Sequence, residues 1–316
     1  MDSPTEQNSP EKPVGQPSVG HLARLHQALG ADQGLRISLG IVAFFFLFAL
    51  LTRILLRPAT IFPYLLMDFG LLSLIYFIFS LTKQRPTPEP TLNNPLLQLA
   101  LAFMIAQLLR IIPEIPLPHW RMGFIIRKNL IMALPVLIVI LAFWRGQPRP
   151  RPAWRTVKAD MGLGLIVVAF MALPGMFYSG SIRVLTAGQL SLWQLFLTLL
   201  VGFSLNLFSA AIPEELYYRA QIQRRLSEGL RSPWSALLIS TLFFGLTHAT
   251  DNTSWGFGSS LLDGLAEAVF VQTFIGLVLG TLYMRTRNIF LCIGVHAALN
   301  TITNIAFYAN RLGFIS

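Results

Sequence analysis

The sequence predicts an all-α, polytopic integral membrane protein, a bundle of eight or nine transmembrane helices. Two observations carry that reading. Hydrophobic residues make up 54% of the 316 and charged ones only 12%, and the mean hydropathy of +0.60 is far above that of soluble domains. The apolar residues also fall in successive runs of roughly 18–22, each long enough to cross a bilayer core of about 30 Å. A net charge of +10 in such a chain is read as the Arg and Lys excess of cytoplasmic loops, so no nucleic-acid partner is expected. One cysteine excludes an internal disulfide framework and a cysteine-based zinc site.

In chain order, residues 1–34 are polar, with four prolines in the first twenty. They read as a disordered tail with a short helix near His21 to Ala28, and lack the apolar core and cleavage site of a signal peptide. The predicted spans are 35–56, 61–82, 95–112, 125–144, 161–178, 191–212, 233–249, 262–284 and 289–308, followed by a C-terminal tail at 309–316. Pro58, Pro86/Pro88/Pro90, Pro113/Pro116/Pro118 and Pro148/Pro150/Pro152 punctuate the loops. With the N-terminus in the cytoplasm, inner segments hold sixteen Lys/Arg and outer ones eight. Arg145 to Lys158 carries five and Asp251 to Leu261 none, while Arg110 to Lys128 dissents with four on the outside. The first four spans promise little chemistry. Asp68 is a lone membrane acid, expected to pair with a neighbouring helix or to sit near an interface.

Chemistry concentrates in Ala210 to Leu230, at Glu214-Glu215-Leu216-Tyr217-Tyr218-Arg219. An ionised side chain in or near hydrocarbon costs about 2.5–3.5 kcal/mol on insertion scales, so each needs a reason. Glu215 and Arg219 are four apart with the acid first, a good helical ion pair. Glu214 is rotated by about 100° and has no such partner within the segment. The alternative is that all three mark a helix leaving the membrane, where charges cost little. Two further polar intrusions follow, Phe244-Gly245-Leu246-Thr247-His248 and His296-Ala297-Ala298-Leu299-Asn300, each with its end residues on one helix face. A single membrane histidine is ordinarily a hydrogen-bonded packing residue. Here the turn at Arg231-Ser232-Pro233 lies seventeen residues after Glu214, and His248 lies sixteen after Ser232. A hairpin at that turn would bring Glu214 and His248 to one level, within about 6 Å, close enough for direct or one-water contact. A carboxylate, two imidazoles and an amide converging in a low-dielectric cavity suit activation of water.

These three segments resemble, in order and spacing, the Glu-Glu-x-x-x-Arg, Phe-x-x-x-His and His-x-x-x-Asn motifs of the CPBP family. These are the CAAX-protease and bacteriocin-processing intramembrane endopeptidases, also called the Abi family. The run Phe274 to Gly280, with Tyr283 and Arg285, is similar to the family's penultimate helix. The resemblance covers about residues 191–308; residues 35–190 resemble nothing beyond hydrophobic helices of unassigned role. It implies that Glu214, with His248, polarises a water for attack on a peptide carbonyl. It implies that His296 and Asn300 bind the developing oxyanion, that Glu215 and Arg219 hold the architecture, and that Phe244 packs beside the site. The implied substrate is a peptide or a lipidated, membrane-associated protein tail. The location would be multi-pass in a membrane, the plasma or inner membrane in a bacterium, amid lipid.

Other readings stay open on the sequence alone. No cofactor is expected, but Glu214, His248 and His296 could instead hold zinc. Asp263 and Glu267 could add a ligand if their helix turned them inward. Cys292 lies four residues before His296, so a Cys–His dyad is geometrically possible. The absence of His-Glu-x-x-His excludes the zinc-helix type of protease, and no Gly-x-Gly-Asp aspartyl motif is present. A non-catalytic immunity or scaffold protein would keep these motifs for packing. A transporter would use the intramembrane charges for substrate or proton, although no inverted repeat is seen.

Overall fold

Long apolar runs must satisfy their own backbone hydrogen bonds in hydrocarbon, which leaves the helix as the available structure. The computed structural model describes residues 33–82, 94–111, 120–143, 154–249 and 260–315, and within them every regular element is helical. The expected tail with its helix near His21 to Ala28 lies outside the described residues apart from its last two. So do the proline runs at 86–90, 113–118 and 148–152 and most of the two loops used for orientation.

The helices are α1 (Gln33–Leu56), α2 (Ile61–Leu81), α3 (Pro95–Arg110), α4 (Trp120–Ala142), α5 (Trp154–Tyr178) and the short α6 (Ser181–Thr186). After these come α7 (Leu192–Leu230), α8 (Pro233–Leu246), α9 (Leu261–Thr286), α10 (Ile289–Thr303) and α11 (Ile305–Arg311). Six of them, α1, α2, α4, α5, α7 and α9, are long and apolar enough to cross a membrane, making this a multi-pass integral membrane protein. The pair α10 and α11 gives a seventh span if the 70° bend between them lies within one crossing. The expected eight or nine spans are therefore not reached by length and composition. At 16 and 14 residues, α3 and α8 fall short. The span expected as a single helix over 289–308 is broken at Asn304.

The larger departure is α7. A span ending at residue 212 would leave Glu214 outside it, yet the helix runs on to Leu230 and is 39 residues long in all. At 1.5 Å per residue that is about 58 Å, roughly twice the hydrocarbon core. Two π-helical stretches, Leu207–Ala211 and Leu216–Gln223, flank the α turn Ile212–Glu215. The first has a local cause. Ile212 N–H donates five residues back to Leu207 O, and the donor that would serve Phe208 O in turn is Pro213, which has no N–H. Asn129 Nδ2 on α4 supplies it, 2.8 Å from Phe208 O.

Arg231 in the left-handed region (φ 51°) ends α7. Ser232 then caps α8, accepting from Ser235 N at 3.3 Å, with Pro233 in the first turn. That is the expected hairpin. The main buried cluster joins α2, α5, α9 and α10 through Leu74, Ile78, Val167, Leu279, Leu282 and Val295. A second joins α3, α4, α7 and α8 around Tyr218, Ile222 and Phe244. Helices α8 and α9 meet along Gly276 and Gly280, the close approach that small residues permit in a membrane. A Cβ on Gly276 would come 2.9 Å from Phe244 Cδ1 and 3.4 Å from Thr241 O. Gly276→Val is expected to destabilise by about 1–3 kcal/mol through overpacking, read as a lower Tm in detergent. Gly294→Ala, with nothing within 4 Å of the added Cβ, serves as the silent control.

The first half is less bland than its hydropathy. Arg53 of α1 is buried and ion-paired with Asp263 (3.1 Å) and Glu267 of α9. Arg57 reaches Asp263 at 2.8 Å, and Tyr64 OH donates to Glu267 at 2.8 Å. These two acids are thus turned toward α1 and α2, satisfied by arginines rather than offered as extra metal ligands. Asp68 corrects the sequence reading in the opposite sense. It is buried, and among the described residues neither carboxylate oxygen has a hydrogen-bond partner.

Candidate active site

Glu214, Glu215 and Arg219 are 2%, 0% and 0% exposed. A helix leaving the membrane would solvate them, so that alternative fails. The ion pair expected from their spacing is present, Arg219 Nε to Glu215 Oε2 at 3.2 Å. Arg219 also donates to Gly276 O at 3.3 Å and lies 4.9 Å over the ring of Phe244. Glu215 has a second partner that its own segment could not reveal, His296 Nδ1, 2.8 Å from Oε1.

The hairpin brings His248 back to Glu214. Its Nε2 lies 3.8 Å from Glu214 Oε2, and His296 Nε2 lies 3.8 Å from that same oxygen. The ring partners fix both tautomers. His248 Nδ1 is 2.7 Å from Phe244 O, and since a carbonyl only accepts, Nδ1 carries the hydrogen. His296 Nδ1 donates to the Glu215 carboxylate in the same way. In the neutral rings each Nε2 is then a lone pair facing Glu214. Glu214 Oε2 has no hydrogen-bond partner among the described residues.

Phe244 organises the cluster. Its buried ring packs 4.8 Å from His248, 6.2 Å from His296 and 5.0 Å from Tyr218, centroid to centroid. Tyr218 OH in turn is 2.6 Å from Thr247 Oγ1, fixing the end of α8 just before His248. Asn300 lies one turn beyond His296 on α10 and is partly buried. Among the described residues its side-chain amide makes no hydrogen bond to Glu214, Glu215, His248 or His296. Cys292, one turn before His296, is fully buried in the α5–α9–α10 core with its thiol toward Leu279 O, not toward the cluster.

One member was missed. Lys128 Nζ of α4 is 2.5 Å from Glu214 Oε1. The four spans read as chemically quiet thus contribute a cation to the centre. A signal existed: Lys128 was one of the four charges that disagreed with the predicted orientation, and a lysine inside an apolar run is costly without a partner. Among the described residues, no three His, Cys, Asp or Glu side chains are arranged to hold a metal ion. The ammonium of Lys128 already supplies a positive charge to the carboxylate that zinc would need.

Residues 191–302 match the family described as type II CAAX prenyl endopeptidase, Rce1-like. This stretch is a domain of that protease family. The CPBP resemblance read from the three motifs names the same family. The Rce1-like domain includes Glu214, Glu215, Arg219, Phe244, His248, His296 and Asn300, whereas α4 and Lys128 lie outside it. No match to the chain is found among curated proteins or among solved structures.

Proposed function

We propose that this protein is an intramembrane endopeptidase in which Glu214 and His248 activate a water against a peptide carbonyl of a membrane-associated protein or prenylated CAAX-type tail. The observation that carries the reading is the free Oε2 of Glu214, 3.8 Å from the Nε2 atoms of both His248 and His296. That separation is too long for a hydrogen bond and short enough for one water to bridge. Such a water donates one proton to the carboxylate and one to an imidazole, leaving its oxygen lone pair for the carbonyl carbon. The new C–O bond takes the carbonyl electrons onto oxygen. His296 donates to that oxyanion once its Nε2 has taken up a proton from solvent, its Nδ1–H staying on the Glu215 carboxylate, and the Asn300 amide one turn away is the second donor. Collapse breaks the C–N bond, and the proton held by Glu214 passes to the leaving amine. Arg219 and Phe244 keep Glu215 and both imidazoles in place.

The same reading takes residues 35–190 as supporting helices, 191–308 as the catalytic core, and α3 and α8 as short crossings that bring the spans to nine. It needs no metal. The test is purified full-length protein in liposomes, offered a CAAX-type peptide with and without its prenyl group. Cleavage of either, unchanged by a strong chelator, is the expected result. Loss of activity to the chelator and its return with added zinc would replace the glutamate mechanism by a zinc one.

A further inference from the structure

We propose that Lys128, outside the endopeptidase-family stretch, is the positioning residue for Glu214, so that the working centre is built from both halves of the chain. The inference rests on the endopeptidase reading above. Four observations meet here. First, the ion pair is directed: Lys128 takes Oε1 and leaves Oε2 facing both imidazoles. Second, its placement is built. The neighbouring Asn129 anchors α4 to α7 through Phe208 O, the carbonyl that Pro213 cannot serve, its amide also donating to Ile125 O one turn back on its own helix at 2.9 Å. The residue that distorts α7 immediately before Glu214 thus also creates the acceptor that docks α4 beside it. Third, the charges balance. Glu214 with Lys128 and Glu215 with Arg219 make a neutral set while both imidazoles are neutral. Without Lys128 the centre would hold a net negative charge in a low-dielectric site. Fourth, the side chain of Lys128 is 17% exposed against 3% for Glu214. The lysine thus spans from the rim of the centre to its buried carboxylate.

A carboxylate released from Oε1 can rotate away from the histidines, so the effect falls on turnover rather than on substrate binding. The experiment compares wild type, Lys128→Met, Lys128→Arg, Glu214→Gln and the Lys128→Met/Glu214→Gln double variant, all full length. Lys128→Met is expected to lower kcat by about 10²-fold, the cost of an ångström-scale misplacement, with KM little changed. Lys128→Arg should restore most of the rate, which a loss of packing alone would not explain. Lys128→Met should also lower Tm in the wild-type background and not in the Glu214→Gln background. Wild-type kcat in Lys128→Met, beside an inactive Glu214→Gln, would overturn the proposal while leaving the endopeptidase reading intact. So would equal Tm losses in the two backgrounds. Wild-type protein inactive on every peptide would count against the endopeptidase reading itself, and the Tm comparison then decides the pairing alone.

Discussion

Glu214→Gln is expected to lower kcat by about 10²–10⁴-fold, the range that general-base catalysis contributes, and to leave the fold in place. Glutamine keeps the shape and a carbonyl that can accept from Lys128, but it cannot take a proton from water. Stability is a separate matter. From its own segment Glu214 has no partner, which predicts an unchanged Tm. The ion pair with Lys128 alters that. The lysine loses its counter-charge, but its partial exposure lets water replace the carboxylate in part. The loss should then resemble that of an exposed pair, about 1 kcal/mol or less. Single-turnover cleavage and thermal unfolding of one purified preparation separate the two effects. Substantial residual cleavage by Glu214→Gln, well above an uncatalysed blank, would remove Glu214 from the base role.

Glu215→Gln should fail in the other order, with stability first. Its carboxylate is fully buried and serves Arg219 and His296 at once. Glutamine can still accept from His296 Nδ1, but it leaves the guanidinium of Arg219 uncompensated against Phe244 and Gly276 O. Breaking a buried ion pair typically costs about 3–5 kcal/mol, a large share of the 5–15 kcal/mol that holds an ordinary domain together, about. The measurement is Tm and yield of folded protein in detergent beside Glu214→Gln. Activity should fall as well, since the carboxylate that holds His296 Nδ1 and Arg219 together at the centre is gone. Equal stability losses in the two variants would dissolve the division of labour between adjacent glutamates.

That division was half legible in the sequence. A spacing of four with the acid first pairs Glu215 with Arg219 on any helix, because the contact is local. The turn at Arg231 and the near-equal distances to Glu214 and His248 were likewise enough to bring α8 back onto α7, since a helical hairpin has one degree of freedom, its register. Hydropathy determined the membrane class and most helix positions, because chain length across hydrocarbon is set by the bilayer and not by the fold.

Tertiary structure decided what depends on contacts between distant segments. Lys128 meets Glu214 across 86 positions and His296 meets Glu215 across 81, and no periodicity encodes which face of one apolar helix turns to another. The apolar surface is no guide, because lipid and protein interior reward the same side chains. Continuation of α7 past residue 212, where the predicted span ends, was hidden as well: Pro213 removes a backbone donor there, and the π-helical stretches with Asn129 as substitute donor let the helix absorb it. Asp263 and Glu267 looked available from sequence for the same reason, until α1 supplied Arg53 and Arg57. Charge in a membrane must be neutralised within reach, so a sequence shows that partners exist, whereas the packing of helices decides which ones they are.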